Sequence, residues 1–197
     1  MFEKAICINL DHRADRWTIS QEEFSRFGID VERFPACAHE NAMKGIHMSY
    51  HRIFQENAGK QILVLEDDVR FTQPYSMLLE VYNDLPHEWW MFYLGGNATK
   101  PLRRQSTWLF RAIGVVTTHA ILYSGRMTQW LADNLQVPEV VDRTNTIDVW
   151  LANTVQPQCK SYIAYPNIAE QHFGYSDICK MDINYKYFNN MSKKYYS

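Results

Sequence analysis

Three consecutive carboxylates, Glu66, Asp67 and Asp68, follow the aliphatic run Ile62-Leu63-Val64-Leu65. Acids this close repel one another unless a cation is shared among them. A hard divalent ion with oxygen ligands is the natural resolution, and such an ion commonly bridges protein to phosphate. A solvated acidic turn accounts for the same residues, and on these residues alone both readings stand. Asn9-Leu10-Asp11-His12-Arg13-Ala14-Asp15-Arg16 carries a second set. Arg13 and Arg16 are spaced to share a helix face. Two guanidiniums there can grip a diphosphate through paired hydrogen bonds, or simply pair with Asp11 and Asp15. Asp148 sits near a helix start among apolar neighbours. The helix dipole favours an acid at that place, and a general base there would take a proton from an attacking hydroxyl.

Weaker signals lie elsewhere. Gly95 and Gly96 end a strand-like run, where they allow close approach of a ligand or make a turn. No Gly-Lys-Ser/Thr follows, so this is not a P-loop. His47 and His51 are one helical turn apart, but without the Glu of H-E-x-x-H they read as packing residues. His119 is a core histidine or points into a site. His172, after the last strand, is a candidate metal ligand or phosphate contact. Lys100, Arg103 and Arg104 form a small basic cluster that either touches phosphates or is a solvated loop.

The elements that must position these groups alternate. Strands are expected over 5–10, 31–34, 62–65 and 91–94. Between them lie helices over 15–27, closed by Gly28, over 42–57, capped by Asn41 and stopped by Gly59, and over 74–83, opened by Pro74. This βαβαβ order predicts an α/β sheet with a mainly parallel first half. In open sheets of that kind ligands bind at the C-terminal ends of the strands, where the acidic run and the Arg13–Arg16 loop both fall. The second half is less regular. Strands are expected over 108–111, 117–123 and 161–164, and helices over 125–135 and 147–155. The tail from Asp182, rich in Tyr, Asn and Lys, either wraps or stays mobile.

The chain of 197 residues, with 46% hydrophobic and 21% charged residues, reads as a single globular domain. A net charge of −2 argues against a protein that coats polyanions but leaves room for a local basic patch. Cys7, Cys37, Cys159 and Cys179 form no C-x-x-C pair, and all four are read as reduced thiols in the cytoplasm. The N-terminus leads into a strand rather than a signal peptide, and no transmembrane segment is expected.

The ordered series I-N-L-D-x-R-x-x-R-W, V-L-E-D-D-V, L-G-G, T-H-A, I-D-x-x-L and Y-P-x-I-x-x-Q-x-x-x-S-D-I spans about residues 4–178. It resembles glycosyltransferase family 25, the lipooligosaccharide and collagen galactosyltransferase type. The resemblance implies a GT-A-like fold, with a Rossmann-like nucleotide-sugar half over about 1–97, an acceptor half over about 98–181 and a tail over 182–197. It implies an inverting, metal-dependent transferase that uses manganese or magnesium and a nucleoside-diphosphate sugar, most simply a UDP-sugar. Carried over, Asn9, Arg13, Arg16, Glu66, Asp67, Gly95, Gly96 and Gln171 would hold the donor. Glu66, Asp68 and His172 would hold the metal, and Asp148 would be the base. Ser176 and Asp177 match the closing motif.

Where the family shows G-C-x-x-S-H, this chain reads Gly45-Ile46-His47-Met48-Ser49-Tyr50, with His51 one place later. The implied acceptor is a bacterial-type surface glycan. The alternatives are a phage- or virus-type enzyme acting on a hydroxymethylated DNA base, a nucleotide-sugar-binding module without catalysis, and a metal-dependent phosphoesterase.

Overall fold

A computed structural model describes residues 1–176, 180–185 and 191–196. Its first half follows the expected alternation: β1 (Lys4–Asn9), α1 (Ala14–Phe27), β2 (Glu32–Pro35), α2 (Ala42–Glu56), β3 (Ile62–Glu66), β4 (Val69–Phe71), α3 (Tyr75–Asn83) and β5 (Met91–Tyr93). Local chemistry sets the boundaries. Gly28 takes the left-handed conformation, φ 86°, and its N–H donates to Phe24 O, closing α1. Asn41 Oδ1 accepts from the N–H groups of Met43 and Lys44, opening α2. Short strands β6 (Asn97–Ala98), β7 (Arg103–Arg104), β8 (Leu109–Arg111) and β9 (Val115–Val116) come next. They lead to β10 (Ala120–Tyr123), α4 (Gly125–Asn134) and α5 (Ile147–Trp150). A π-helical turn over Leu151–Val155 extends α5. Then come β11 (Ser161–Ala164), β12 (Ala169–Gln171), β13 (Gly174–Ser176) and β14 (Met181–Ile183).

Eight strands form one sheet in the order β2-β1-β3-β10-β5-β11-β8-β7. β1, β2, β3, β5, β11 and β7 run one way; β10 and β8 run against them. The architecture is therefore α/β with a mixed sheet whose strands mostly point one way. The first half is not a continuous parallel run, because antiparallel β10 lies between β3 and β5. β10 is also shorter than the strand expected over 117–123. Thr117, at φ 74°, turns the chain out of the extended conformation before Ala120. A β-branched residue rarely adopts that conformation.

Alternate residues of the central strands feed two cores, as a pleated sheet with both faces covered requires. Ile6, Ile8 and Val64 join Tyr50, Phe54, Met127 and Leu131 from α2 and α4. Ala5, Cys7, Leu63 and Leu65 join Phe24, Phe27, Leu78 and Val81 from α1 and α3. The sheet thus lies between two helical layers, with the C-terminal ends of β1, β3, β5 and β11 along one edge. No helix among the described residues is long and apolar enough to cross a membrane. The end of the chain wraps onto the body: Tyr196 stacks on Tyr165, with ring centroids 4.3 Å apart.

Candidate functional site

β1 and β3 are adjacent and parallel, with Ile8 level with Glu66. Their register brings the loop after β1 against the acidic run after β3. The result is a cleft of about 300 Å³ whose walls include Arg16, Glu66, Asp67, Asp68 and Gln171. Ile8, Leu10, Ala36 and Ile46 give it an apolar side.

Each carboxylate has a different environment. Glu66 Oε1 accepts from Thr118 Oγ1 at 2.6 Å and lies 3.3 Å from the Tyr50 hydroxyl. Asp67 is fixed at both oxygens: Asn9 Nδ2 donates at 2.7 Å, and Arg16 makes an ion pair at 2.6 Å. Asp68 Oδ2 accepts from Gln171 Nε2 at 3.2 Å, while its buried Oδ1 has no hydrogen-bond partner. Burial raises the pKa of Glu66, and the neighbouring Asp68 charge adds to it. Burial likewise raises Asp68, against the opposing pull of Arg16. The site holds more negative charge than its own cations offset.

Those observations fit a divalent ion. A buried carboxylate oxygen without a partner, beside two carboxyls whose pKa values burial raises, is chemistry that a cation would suit. Among the described residues, however, no three His, Cys, Asp or Glu side chains converge to hold an ion by themselves. Glu66, Asp68 and His172 do not form a closed set. The His172 N–H donates to Asp68 O at 2.6 Å, but its exposed ring lies within hydrogen-bond distance of Phe173 O. An ion held here needs oxygens from a ligand or water, as magnesium and its relatives do at phosphate sites.

The remaining candidate residues separate by position. Asn9 is buried, with Nδ2 on Asp67 and on Arg13 O and its Oδ1 accepting from Arg33 Nε at 2.8 Å. It orients Asp67 and does not line the cleft. Arg13 pairs with Asp15 at 2.9 Å and lines a second cavity of about 440 Å³. Arg16, Asp67 and Asp68 border both cavities, and His172, Phe173 and Tyr175 lie on the second. Gly95 and Gly96 serve packing. A Cβ on Gly95 would stand 1.8 Å from Ala169 O, and one on Gly96 would stand 2.6 Å from Val115 Cγ1. Asp148 lies outside the cleft walls but near enough to Glu66 to help raise its pKa. Thr117 N–H and Thr146 Oγ1 donate to its two oxygens at 3.1 and 2.6 Å. Of the closing motif, Asp177 and Ile178 fall outside the described residues.

Several site residues escaped sequence reasoning. Tyr50 and Thr118 hold Glu66 from α2 and from the turn before β10, 16 and 52 residues away in the chain. No local pattern marks Tyr50, and Thr118 belongs to the T-H-A element of the motif series, where it was given no role. His39 and Glu40 line the cleft from the loop before the Asn41 cap, and Lys180 and Tyr185 from the chain around β14. The Asn41 cap was legible; only the fold turns the loop before it toward the cleft. No protein-family model matches this chain, and no curated protein matches it.

Proposed function

We propose that this chain is a metal-dependent inverting glycosyltransferase. It moves a sugar from a nucleoside-diphosphate sugar, most simply a UDP-sugar, to an acceptor hydroxyl, that of a surface glycan in the simplest case. One observation carries the reading. Asp68, a wall residue of a cleft at the C-terminal strand edge, carries a buried carboxylate oxygen with no hydrogen-bond partner. That edge is where α/β sheets bind nucleotides. The order of motifs along the chain supports the same reading.

In this scheme Asp68 and Glu66 would hold a manganese or magnesium ion at the donor site. The bound ion supplies positive charge to the departing diphosphate. Asp67 is committed to Arg16 and Asn9, so it shapes the site rather than taking the ion. Arg16 places a fixed cation on the cleft wall, where the leaving group's charge develops. Gln171 holds Asp68 in place. The apolar wall of Ile8, Leu10, Ala36 and Ile46 receives the nucleoside.

Transfer is a single displacement. The acceptor oxygen bonds to the anomeric carbon, the bond from that carbon to the diphosphate oxygen breaks with its electron pair, and the acceptor proton passes to a base. Asp148 is the candidate base, held by Thr117 and Thr146.

Calorimetric titration of UDP-sugars and other nucleoside-diphosphate sugars, with and without manganese, tests the reading. Manganese-dependent binding of one donor is expected. A folded sample that binds no donor would overturn the proposal.

A further inference from the structure

The hairpin of β7 and β8 and the end of the chain meet at the side of the sheet away from β2. Ala98 N–H donates to Ser192 Oγ, and Leu102 N–H donates to Tyr195 O, both at 2.8 Å. Tyr196 also meets Phe110 edge-on, with centroids 5.3 Å apart. These contacts set Lys193 and Lys194 beside the stretch that carries Lys100, Arg103 and Arg104. All five cations are exposed, and segments 98–104 and 191–196 contain no acidic residue. Bordering acids include Asp84, which accepts from Ser106 Oγ, and Glu170, which shares a cavity of about 320 Å³ with Lys193. The whole chain carries −2, so the positive charge is local. The hairpin and the terminal segment each carry an exposed large apolar side chain: Trp108 is 38% exposed in the hairpin turn, and Met191 is 46% exposed.

Arginines on an edge strand also block pairing between sheets. Arg103 and Arg104 satisfy that need by themselves. It leaves aside Lys194, brought to the same edge by the terminal segment, and Trp108, which stays 38% exposed in the hairpin turn.

We propose that this edge docks the protein on an anionic lipid surface. Clustered Lys and Arg are attracted to anionic headgroups. An indole prefers the boundary between water and hydrocarbon, and the Met191 side chain gains an apolar partner there. A nucleic-acid strand is the poorer fit. Single strands are held in basic grooves with their bases stacked on aromatic rings, whereas these cations stand on an exposed edge strand and an exposed terminal segment, and a phosphate backbone offers Met191 nothing. Segment 191–196 packs against Ala98 and Tyr165, which follow the C-terminal ends of β5 and β11. A membrane engaged there lies along the same edge of the sheet as the donor cleft. The proposal rests on the patch alone and stands whether or not the transferase reading does.

The test is sedimentation of the full chain with vesicles of phosphatidylcholine, with and without phosphatidylglycerol. Binding only to the anionic vesicles, with release by high salt, is expected. At roughly a fivefold effect per cation, Arg103→Gln/Arg104→Gln weakens binding about thirtyfold. Lys193→Gln/Lys194→Gln, which leaves the edge strand intact, weakens it by a similar factor. Failure to sediment, equal binding to neutral vesicles, or binding unchanged in both variants would each overturn the proposal. So would tighter binding of duplex DNA through the same residues, which would assign the patch to nucleic acid.

Discussion

A buried carboxylate oxygen without a donor, such as Asp68 Oδ1, leaves a desolvation penalty of at least about 1–3 kcal/mol. Removing the carboxylate relieves that penalty and also removes the proposed ion ligand. Asp68→Ala is therefore expected to fold normally and lose manganese-dependent donor binding in calorimetry. Retained binding would take Asp68 out of the metal role. Asp148 makes a separate prediction. Its oxygens are held by Thr117 and Thr146, and Asn keeps the shape while removing the basicity. A positioned base contributes about a hundred- to ten-thousand-fold. Asp148→Asn should lower turnover by that order and leave the donor's dissociation constant unchanged. Turnover equal to wild type would refute the base assignment. Glu66, Asp67 and Asp68 were legible as a cluster because they adjoin in the chain. Their different roles were not, since those depend on Thr118, Arg16 and Gln171, which are distant in sequence.

At the scale of elements, close backbone approach decides more than local propensity. Gly95 follows β5 and faces the carbonyl of Ala169 in β12, with no room for a methyl group. The Leu94 carbonyl accepts from Ile168 N–H at 2.6 Å, so β5 and the start of β12 are locked together there. Gly95→Ala is expected to destabilise the fold by about 3 kcal/mol or more, the upper range for overpacking. Denaturant midpoints read this directly, and a loss below about 1 kcal/mol would show that the contact yields. The strands expected over 62–65 and 161–164 and the helices expected over 15–27 and 42–57 were readable from apolar runs and capping residues, and each is present to within a residue at either end. β4, β6, β7, β9 and β12 were not. Each is two or three residues long and exists because a partner strand is present, so no periodicity announces it.

For the whole molecule, burial of neutral imidazole links stability to acid. His119 is buried just before β10, with Nε2 3.2 Å from Ala169 O in β12, and burial pushes its pKa from 6.5 down to about 4. The unfolded state takes up this proton first. The contribution is therefore complete above pH 6.5 and is lost as pH falls toward 4, to the extent of about 3 kcal/mol. Glu66 and Asp68, with raised pKa values, act in the opposite sense, so a difference between two proteins isolates the histidine. His119→Gln keeps a donor for Ala169 O and cannot titrate. Its stability relative to wild type should improve as pH drops from 6.5 to 4, measured by denaturant unfolding at each pH. A difference that stays constant with pH would mean that His119 is not buried as a neutral ring.

The amino-acid sequence by itself determined the α/β alternation, the acidic run at a strand end and the helix caps. Those signals are local, carried by residues within a turn or a strand of one another. Tertiary structure decided what adjacency cannot express. It inserted β10 between β3 and β5, set Asn9 against Asp67, and packed Gly95 against Ala169 and Gly96 against Val115. It moved Arg13 and the His172 ring to a second cavity, and it set Lys193 and Lys194 beside Arg103. Each of these depends on the register of strands and the packing of faces. Such contacts join residues tens of positions apart, and their energy appears only when the chain closes on itself.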